Sequence, residues 1–252
     1  MITGFYSKEY LLKKKINIIL YEIYIYFQMI TILMPIYNGI EFIDESISSI
    51  LRQTYVEWEL IIGINGHPEN SAVYYKSLEY VSKSPEKIKV IYFYNIKGKA
   101  ETLNEMVKYS KYDYIALLDV DDIWHPKKLE IQKPFLSKYD VIGTKCVYFG
   151  YVSLIGTIPN IPEGDFSKFD FLQFNPIINS SVIIRKKYAY WNSKWFGIED
   201  YDLWLSLRVR KCKFYNCSRV AVKHRIHAAS AYNAKGNSLG VPELLDFWRK
   251  LL

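Results

Sequence analysis

Ile115–Ala116–Leu117–Leu118 is apolar without alternation, and the carboxylates Asp119, Asp121 and Asp122 follow it at once. With Tyr112 and Tyr114 ahead of it, the run reads as a strand buried on both faces. Only a sheet covered by helices on both sides provides that environment. Clustered carboxylates repel one another unless a cation or a water-filled cleft receives them. If the backbone stayed extended, Asp119 and Asp121 would point to one side and their oxygens would converge on one ion. Mg²⁺ and Mn²⁺ take such ligands and bridge them to phosphates. The strand end is therefore the expected centre of the molecule.

The first half repeats one unit. Met29–Met34, Trp58–Ile64 and Ile88–Phe93 are further short apolar runs, closed by the turn signals Tyr37–Asn38–Gly39 and Asn65–Gly66–His67–Pro68. Between them lie helical spacings: Ile40, Ile43, Ile47, Ile50 and Leu51, then Ala72–Lys83, then Leu103, Met106 and Val107. Pro126, Leu129, Ile131 and Phe135 mark another helix after Asp122. Strand and helix alternate four times, which predicts an α/β fold with a mostly parallel, Rossmann-like central sheet flanked by helices. Such sheets bind ligands outside the carboxyl ends of their strands. Asn38, Asn65 and Asp119–Asp122 all fall there.

The second half is less regular. Tyr139–Phe149, Asn179–Arg185 and Phe214–Val222 read as strands, and 156–174 reads as a loop-rich stretch. Glu199–Asp200–Tyr201–Asp202 opens an amphipathic helix, Ala228–Gly240 reads as a mobile loop, and 241–252 as a tail helix. Residues 1–28 form an extension with three readings: a weak peripheral membrane anchor, an element packed on the domain, or a stretch preceding a true start at Met29. Its apolar run is too short to span a bilayer and lacks a cleavage site.

Composition narrows the classes. The 252 residues suit one large domain, and 50% hydrophobic with 17% aromatic content is ample for a core. A net charge of +7 accommodates anionic ligands. No RNA-binding aromatic signature or zinc-finger spacing accompanies it, so nucleic acid is not the expected partner. Cys146, Cys212 and Cys217 make no disulfide framework, which points to a reducing, cytoplasmic setting. Cys212, Cys217, His224 and His227 match no common zinc spacing.

Five motifs then occur in order: Pro35–Ile36–Tyr37–Asn38, Glu59–Leu60–Ile61–Ile62, Leu118–Asp119–Val120–Asp121–Asp122, Glu199–Asp200–Tyr201–Asp202–Leu203–Trp204, and Arg225–Ile226–His227 with Ser230. With the helix around Asn104, they resemble the family 2 glycosyltransferases of GT-A fold over roughly residues 29–230. The resemblance implies one GT-A domain over 29–240, with a nucleotide-sugar half at 29–138 and an acceptor and base half at 139–240. It implies inverting transfer from a nucleoside diphosphate sugar, a UDP-sugar foremost, to a hydroxyl. Asp200 would be the general base, with Glu199 or Asp202 as substitutes or helix-end charges. Asp121 would hold Mn²⁺ or Mg²⁺, Asp119 would be shared between metal and ribose, and His227 would complete the metal shell or meet the diphosphate. Asp122 would orient the site or cap the next helix. Pro35, Tyr37, Asn38, Asn65, Lys99 and Arg225 would bind the nucleotide sugar, with Lys223 as a further phosphate neighbour.

Ile64–Asn65–Gly66 departs from the family's aspartate pair, although Asn65 retains the capacity to read a base edge. The acceptor, a glycan, lipid or protein, would bind near 149–174, 191–197 and 228–240. Phe166, Phe169, Phe171, Trp191 and Trp195 there serve either as sugar platforms or as core. Two rival readings are a degenerate relative that binds sugar nucleotide or a partner without turnover, and an aspartate-nucleophile phosphatase. The second places its acid pair after the first core strand, unlike this chain.

Overall fold

Four parallel strands carry the first half in the computed structural model, which describes residues 13–17, 28–150, 155–227 and 240–251. They are β1 (Ile30–Ile36), β2 (Trp58–Asn65), β3 (Ile88–Phe93) and β4 (Tyr114–Leu117), in the order β3-β2-β1-β4. Helices α1 (Ile43–Leu51), α2 (Ala72–Lys83) and α3 (Lys99–Tyr109) cross between them. The two-residue period of β1 assigns its side chains to two cores. Ile30, Ile32, Met34 and Ile36 pack with Ile43, Ile47 and Ile50 of α1, while Leu33 faces Leu103 and Met106 of α3. Each buried Ile or Leu contributes about 1.5–3 kcal/mol. Gly63 lets α3 approach β2, because a Cβ there would strike the Met106 sulfur.

The second half completes the same sheet with mixed pairings. β5 (Ile123–Trp124), β6 (Val141–Gly150), β7 (Gly164–Asp165), β8 (Ile183–Arg185) and β9 (Phe214–Ile226) follow, with α4 (Lys128–Gln132), α5 (Glu199–Val209) and α6 (Val241–Arg249). β8 joins β4 and β6 antiparallel, β6 and β9 run parallel, and β5 and β7 pair antiparallel with β9. The sheet is thus parallel through its first four strands and mixed beyond them. α5 is buried nearly all round, with Tyr201, Leu203, Trp204, Leu205 and Leu207 in the second core.

Several boundaries differ from expectation. Asn179–Ser181 is a 3₁₀ turn, and only Ile183–Arg185 pairs as a strand. β9 runs four residues past Val222, carrying His224 and Arg225 toward the acids. Phe166, Phe171, Trp191 and Trp195 are core, so they offer no acceptor platform. All three cysteines are free and buried. Among the described residues, no helix is long and apolar enough to cross a membrane. Most of residues 1–28, and all of 228–239 with Ser230, lie outside the described residues.

Candidate functional site

β4 ends at Leu117, and the backbone then turns: the Asp122 N–H donates to the Asp119 carbonyl at 3.0 Å. This corrects the extended geometry expected for the acids. On a turn, alternate residues no longer share a face, and each carboxylate finds its own partner. The turn packs closely on the loop after β1, where Gly39 has φ +101° and a Cβ would lie 2.9 Å from Val120 Cγ1.

Asp119 faces Lys99, the first residue of α3, whose Nζ lies 2.5 Å from Asp119 Oδ1. Asn179 Nδ2 donates to Asp119 Oδ2 at 3.1 Å, and the Asp119 N–H donates to Ser180 Oγ at 3.1 Å. Burial would raise the Asp119 pKa, but the Lys99 ammonium and the Asn179 amide hold it below the usual carboxylate range. Asp121 is different. Burial, reinforced by the charges of Asp122 and Asp119, pushes its pKa up to about 6, with His227 Nε2 at 3.0 Å from Oδ2 opposing.

Asp122 is 0% exposed, which makes it the most enclosed of the three. Its Oδ2 lies 3.0 Å from His224 Nδ1, and its Oδ1 accepts from the Arg225 N–H at 2.8 Å. Burial would lower the His224 pKa, but the Asp122 charge carries it up to about 9. Asp122 therefore pins the end of β9 to the acidic turn. It does not cap α4, whose N-terminus has no side-chain cap.

Arg225, expected on the diphosphate, is engaged by protein groups in the structure. Its guanidinium pairs with Glu45, donates from Nε to the Asp121 carbonyl at 2.8 Å, and lies between the rings of Phe42 and Phe149 at 4.4 and 4.3 Å. Phe42 also stands 5.3 Å from the His227 ring. Arg225 thus braces the turn that presents Asp121 and His227.

The second acid cluster begins α5. Glu199 is buried and accepts the Gly197 N–H through Oε2 at 2.6 Å. Asp202 is buried and accepts from Trp248 Nε1 of α6 at 2.8 Å. Asp200 is half-buried, with Asn175 Nδ2 donating to its Oδ2 at 3.2 Å. Burial raises the pKa of all three, partly offset for Asp200 by Lys99, the Tyr201 N–H and Asn175. Burial would also lower the Lys99 pKa, yet the charges of Asp119, Glu199 and Asp200 raise it. Lys99 is the cation common to the two acid clusters.

The remaining expected residues lie at the ends of β1 and β2. Pro35 pairs in register with Gly63. Tyr37 covers the Asn65–Gly66 turn, where a Gly66 Cβ would lie 2.7 Å from the Tyr37 ring, and its carbonyl meets His67 Nε2. Asn65 is 2% exposed and donates from Nδ2 to the Lys97 carbonyl at 3.2 Å, two residues before Lys99. Asn38 is exposed beside them.

Asn175, Asn179, Ser180 and Phe42 were not singled out from the sequence. The signals were faint: an Asn–Pro pair and an Asn–Ser–Ser run inside an apolar stretch, both more often mere turns. Asn104, read only as a helix marker, clasps the Trp191 backbone with bonds of 2.7 and 2.9 Å.

The donor set can be tested for a divalent cation. Asp121 and His227 offer an oxygen and a nitrogen side by side, and burial together with the charges of Asp122 and Asp119 raises the Asp121 pKa. Among the described residues no group of three protein ligands is assembled. One or two carboxylates completed by substrate phosphates and water is the usual arrangement for Mg²⁺, so the residues fit such a cation.

Residues 31–195 match Glycosyl transferase family 2. The UDP-Glc:alpha-D-GlcNAc-diphosphoundecaprenol beta-1,3-glucosyltransferase WfgD of Escherichia coli is 30% identical over 219 residues, 84% of this chain and 82% of that protein. S. aureus TarS 1–349 in complex with UDP-GlcNAc superposes with a TM-score of 0.65 at 16% identity, covering 87% of this chain and 66% of that structure. The mannosyltransferase PcManGT from Pyrobaculum calidifontis, in complex with GDP-Man and Mn²⁺, gives a TM-score of 0.65 at 11% identity, covering 86% and 62%. The chain thus spans somewhat under two thirds of those structures. The parallel half-sheet, the acidic turn at its carboxyl edge, the ordered motifs and these matches agree: the chain is a glycosyltransferase of family 2 with the GT-A fold.

Proposed function

We propose that the chain moves a sugar from a nucleoside diphosphate donor, a UDP-sugar foremost, to an acceptor hydroxyl with inversion, using Asp200 as general base. The observation that carries this reading is Lys99. One ammonium lies against Asp119 and within the field of Glu199 and Asp200, so the two acid clusters face one cleft. Of the three acids on α5, Asp202 is turned to Trp248 and Glu199 to Gly197, which leaves Asp200 to face the substrate. Its raised pKa makes it a stronger proton acceptor than an exposed aspartate. As the acceptor oxygen bonds to the anomeric carbon, the bond to the diphosphate breaks, its electron pair leaves with the diphosphate, and the hydroxyl proton passes to Asp200.

Tyr37 and Asn65 are assigned to the base and ribose end, with Pro35 and Asn38 shaping that rim. Lys99 and Asp119 are assigned to the ribose–diphosphate stretch. A divalent cation, when bound, neutralises charge developing on the leaving diphosphate. Asp121 and His227 would hold it, with Asp119 adjacent. The Escherichia coli relative is named for a diphosphoundecaprenol-linked acceptor, so a lipid-linked sugar is the first acceptor to try. The free cysteines suit a cytoplasmic setting.

The test is a screen of UDP-, GDP- and dTDP-sugars with and without Mn²⁺, read as released nucleotide and as anomeric configuration of product. Release confined to UDP-sugars, dependent on metal and giving inverted product, supports the reading. Retained configuration, or full activity in a folded Asp200→Asn variant, overturns the assigned mechanism.

A further inference from the structure

Two asparagines on one short segment hold one carboxylate from each acid cluster. Asn175 donates to Asp200 at 3.2 Å, and Asn179, four residues on, donates to Asp119 at 3.1 Å. Ser180 adds a second grip by accepting the Asp119 N–H.

The segment is anchored beneath by buried polar side chains. Asn216 Nδ2 donates to the Pro176 carbonyl at 3.0 Å, Trp124 Nε1 to the Ser180 carbonyl at 2.7 Å, and Gln132 Nε2 to the Ser181 carbonyl at 2.8 Å. Asn216, Trp124 and Gln132 lie on β9, β5 and α4, so three elements fix one stretch of irregular chain. A backbone tied down in this way has little freedom to move either asparagine. The residue type also matters. An amide donates to a carboxylate without adding charge, whereas Asp at either place would face a second anion.

We propose that residues 175–180 form a positioning strut that sets the distance and orientation of the catalytic base relative to the donor-side aspartate. The inference rests on the reading of Asp200 as base and Asp119 as a donor-side group. Asn175 and Asn179 act through those carboxylates and are positioning residues. Geometry of this kind matters because a displacement of about 1 Å in a reacting group costs on the order of 100-fold in rate. The two asparagines have separable effects. Through its amide N–H Asn175 acts on the base, whose other charged neighbours are Lys99, Glu199 and Asp119; Asn179 acts on Asp119, whose charged neighbours are Lys99, His224, Asp121 and Asp200.

The experiment compares Asn175→Ala and Asn179→Ala in the full chain, with melting temperature and far-UV circular dichroism confirming the fold. For Asn175→Ala the expected result is a kcat lower by about 10- to 100-fold, a donor KM within about twofold, and an acid limb moved to higher pH. For Asn179→Ala it is a donor KM raised about tenfold with the acid limb unmoved. Asn175→Ser, which keeps a donor on a shorter arm, recovers part of the loss. Equal losses in both variants with an unmoved pH profile overturn the strut, because that pattern is plain destabilisation.

A measurement without turnover separates this inference from the functional reading. The Asp200 carboxyl, followed by ¹³C NMR, is expected to titrate at higher pH in Asn175→Ala than in the parent. An unmoved titration overturns the strut whether or not a donor has been found. A moved titration beside an active Asp200→Asn variant supports the strut and removes the base assignment instead.

Discussion

The two acid clusters differ although their sequences look alike. Asp119, Asp121 and Asp122 follow a strand, and Glu199, Asp200 and Asp202 open a helix; each set places three carboxylates within four residues. On the turn, each acid is matched by a separate basic group: Lys99, His227 and His224. On the helix, two of the three are turned to structural N–H groups, and Asp200 accepts from the Asn175 amide. A turn sends successive side chains in divergent directions, so three acids can serve three purposes. A helix start rotates them by about 100° per residue, so the acids at its first, second and fourth positions meet different surroundings.

The largest expected effect breaks this contrast at Asp200. Asp200→Asn should lower kcat by about 10²–10⁴, with UDP affinity by calorimetry unchanged. A comparable loss in Glu199→Gln, whose amide oxygen still accepts the Gly197 N–H, would dissolve the division of roles on α5. Next is Asp122→Ala. It leaves the half-buried Arg225 N–H and the His224 ring without their acceptor, and should cost about 1–3 kcal/mol by denaturant unfolding.

A pH series sharpens the same point. His224 has its pKa raised from 6.5 to about 9 when folded, so its pairing with Asp122 stabilises fully below pH 6.5 and fades as pH rises through about 9. The melting temperature should fall over that window, and His224→Gln should flatten the slope. In kinetics the Asp200 pKa is raised, so the acid limb of kcat should lie above the ordinary aspartate value of 3.8, activity falling as pH drops through it. The smallest effect belongs to Asp202→Asn. An amide oxygen can still accept from Trp248, so turnover should stay within about threefold, while Asp202→Ala should lower stability by about 1 kcal/mol.

Local signals made much of the molecule legible. The apolar runs of β1 to β4 announce themselves because strands covered on both faces have no polar alternation. The helix expected over Ala72–Lys83 occupies that span, and the structure adds a Ser71 cap that accepts the Tyr74 N–H. The acidic turn and the Glu199–Asp202 cluster were visible as clustered charge. What stayed hidden were their holders. Asn179 reaches Asp119 across 60 positions, and Asn175 reaches Asp200 across 25. Nothing in an Asn–Pro pair marks so distant a partner. Arg225 is a similar case: nothing in its motif marks Phe42, Phe149 and Glu45, which pack around its guanidinium.

The sequence by itself determined the parallel half-sheet, the carboxyl edge where the acids gather, and the residue types found there. These follow from hydrophobic period and from the cost of burying carboxylates without partners, both properties of short stretches of chain. Only the tertiary structure decided which partner each acid meets. That division depends on where β9, α3, α6 and the 175–180 segment bring Lys99, His224, His227, Trp248 and two asparagines. Those distances are set by packing across the whole sheet, and no local pattern encodes them.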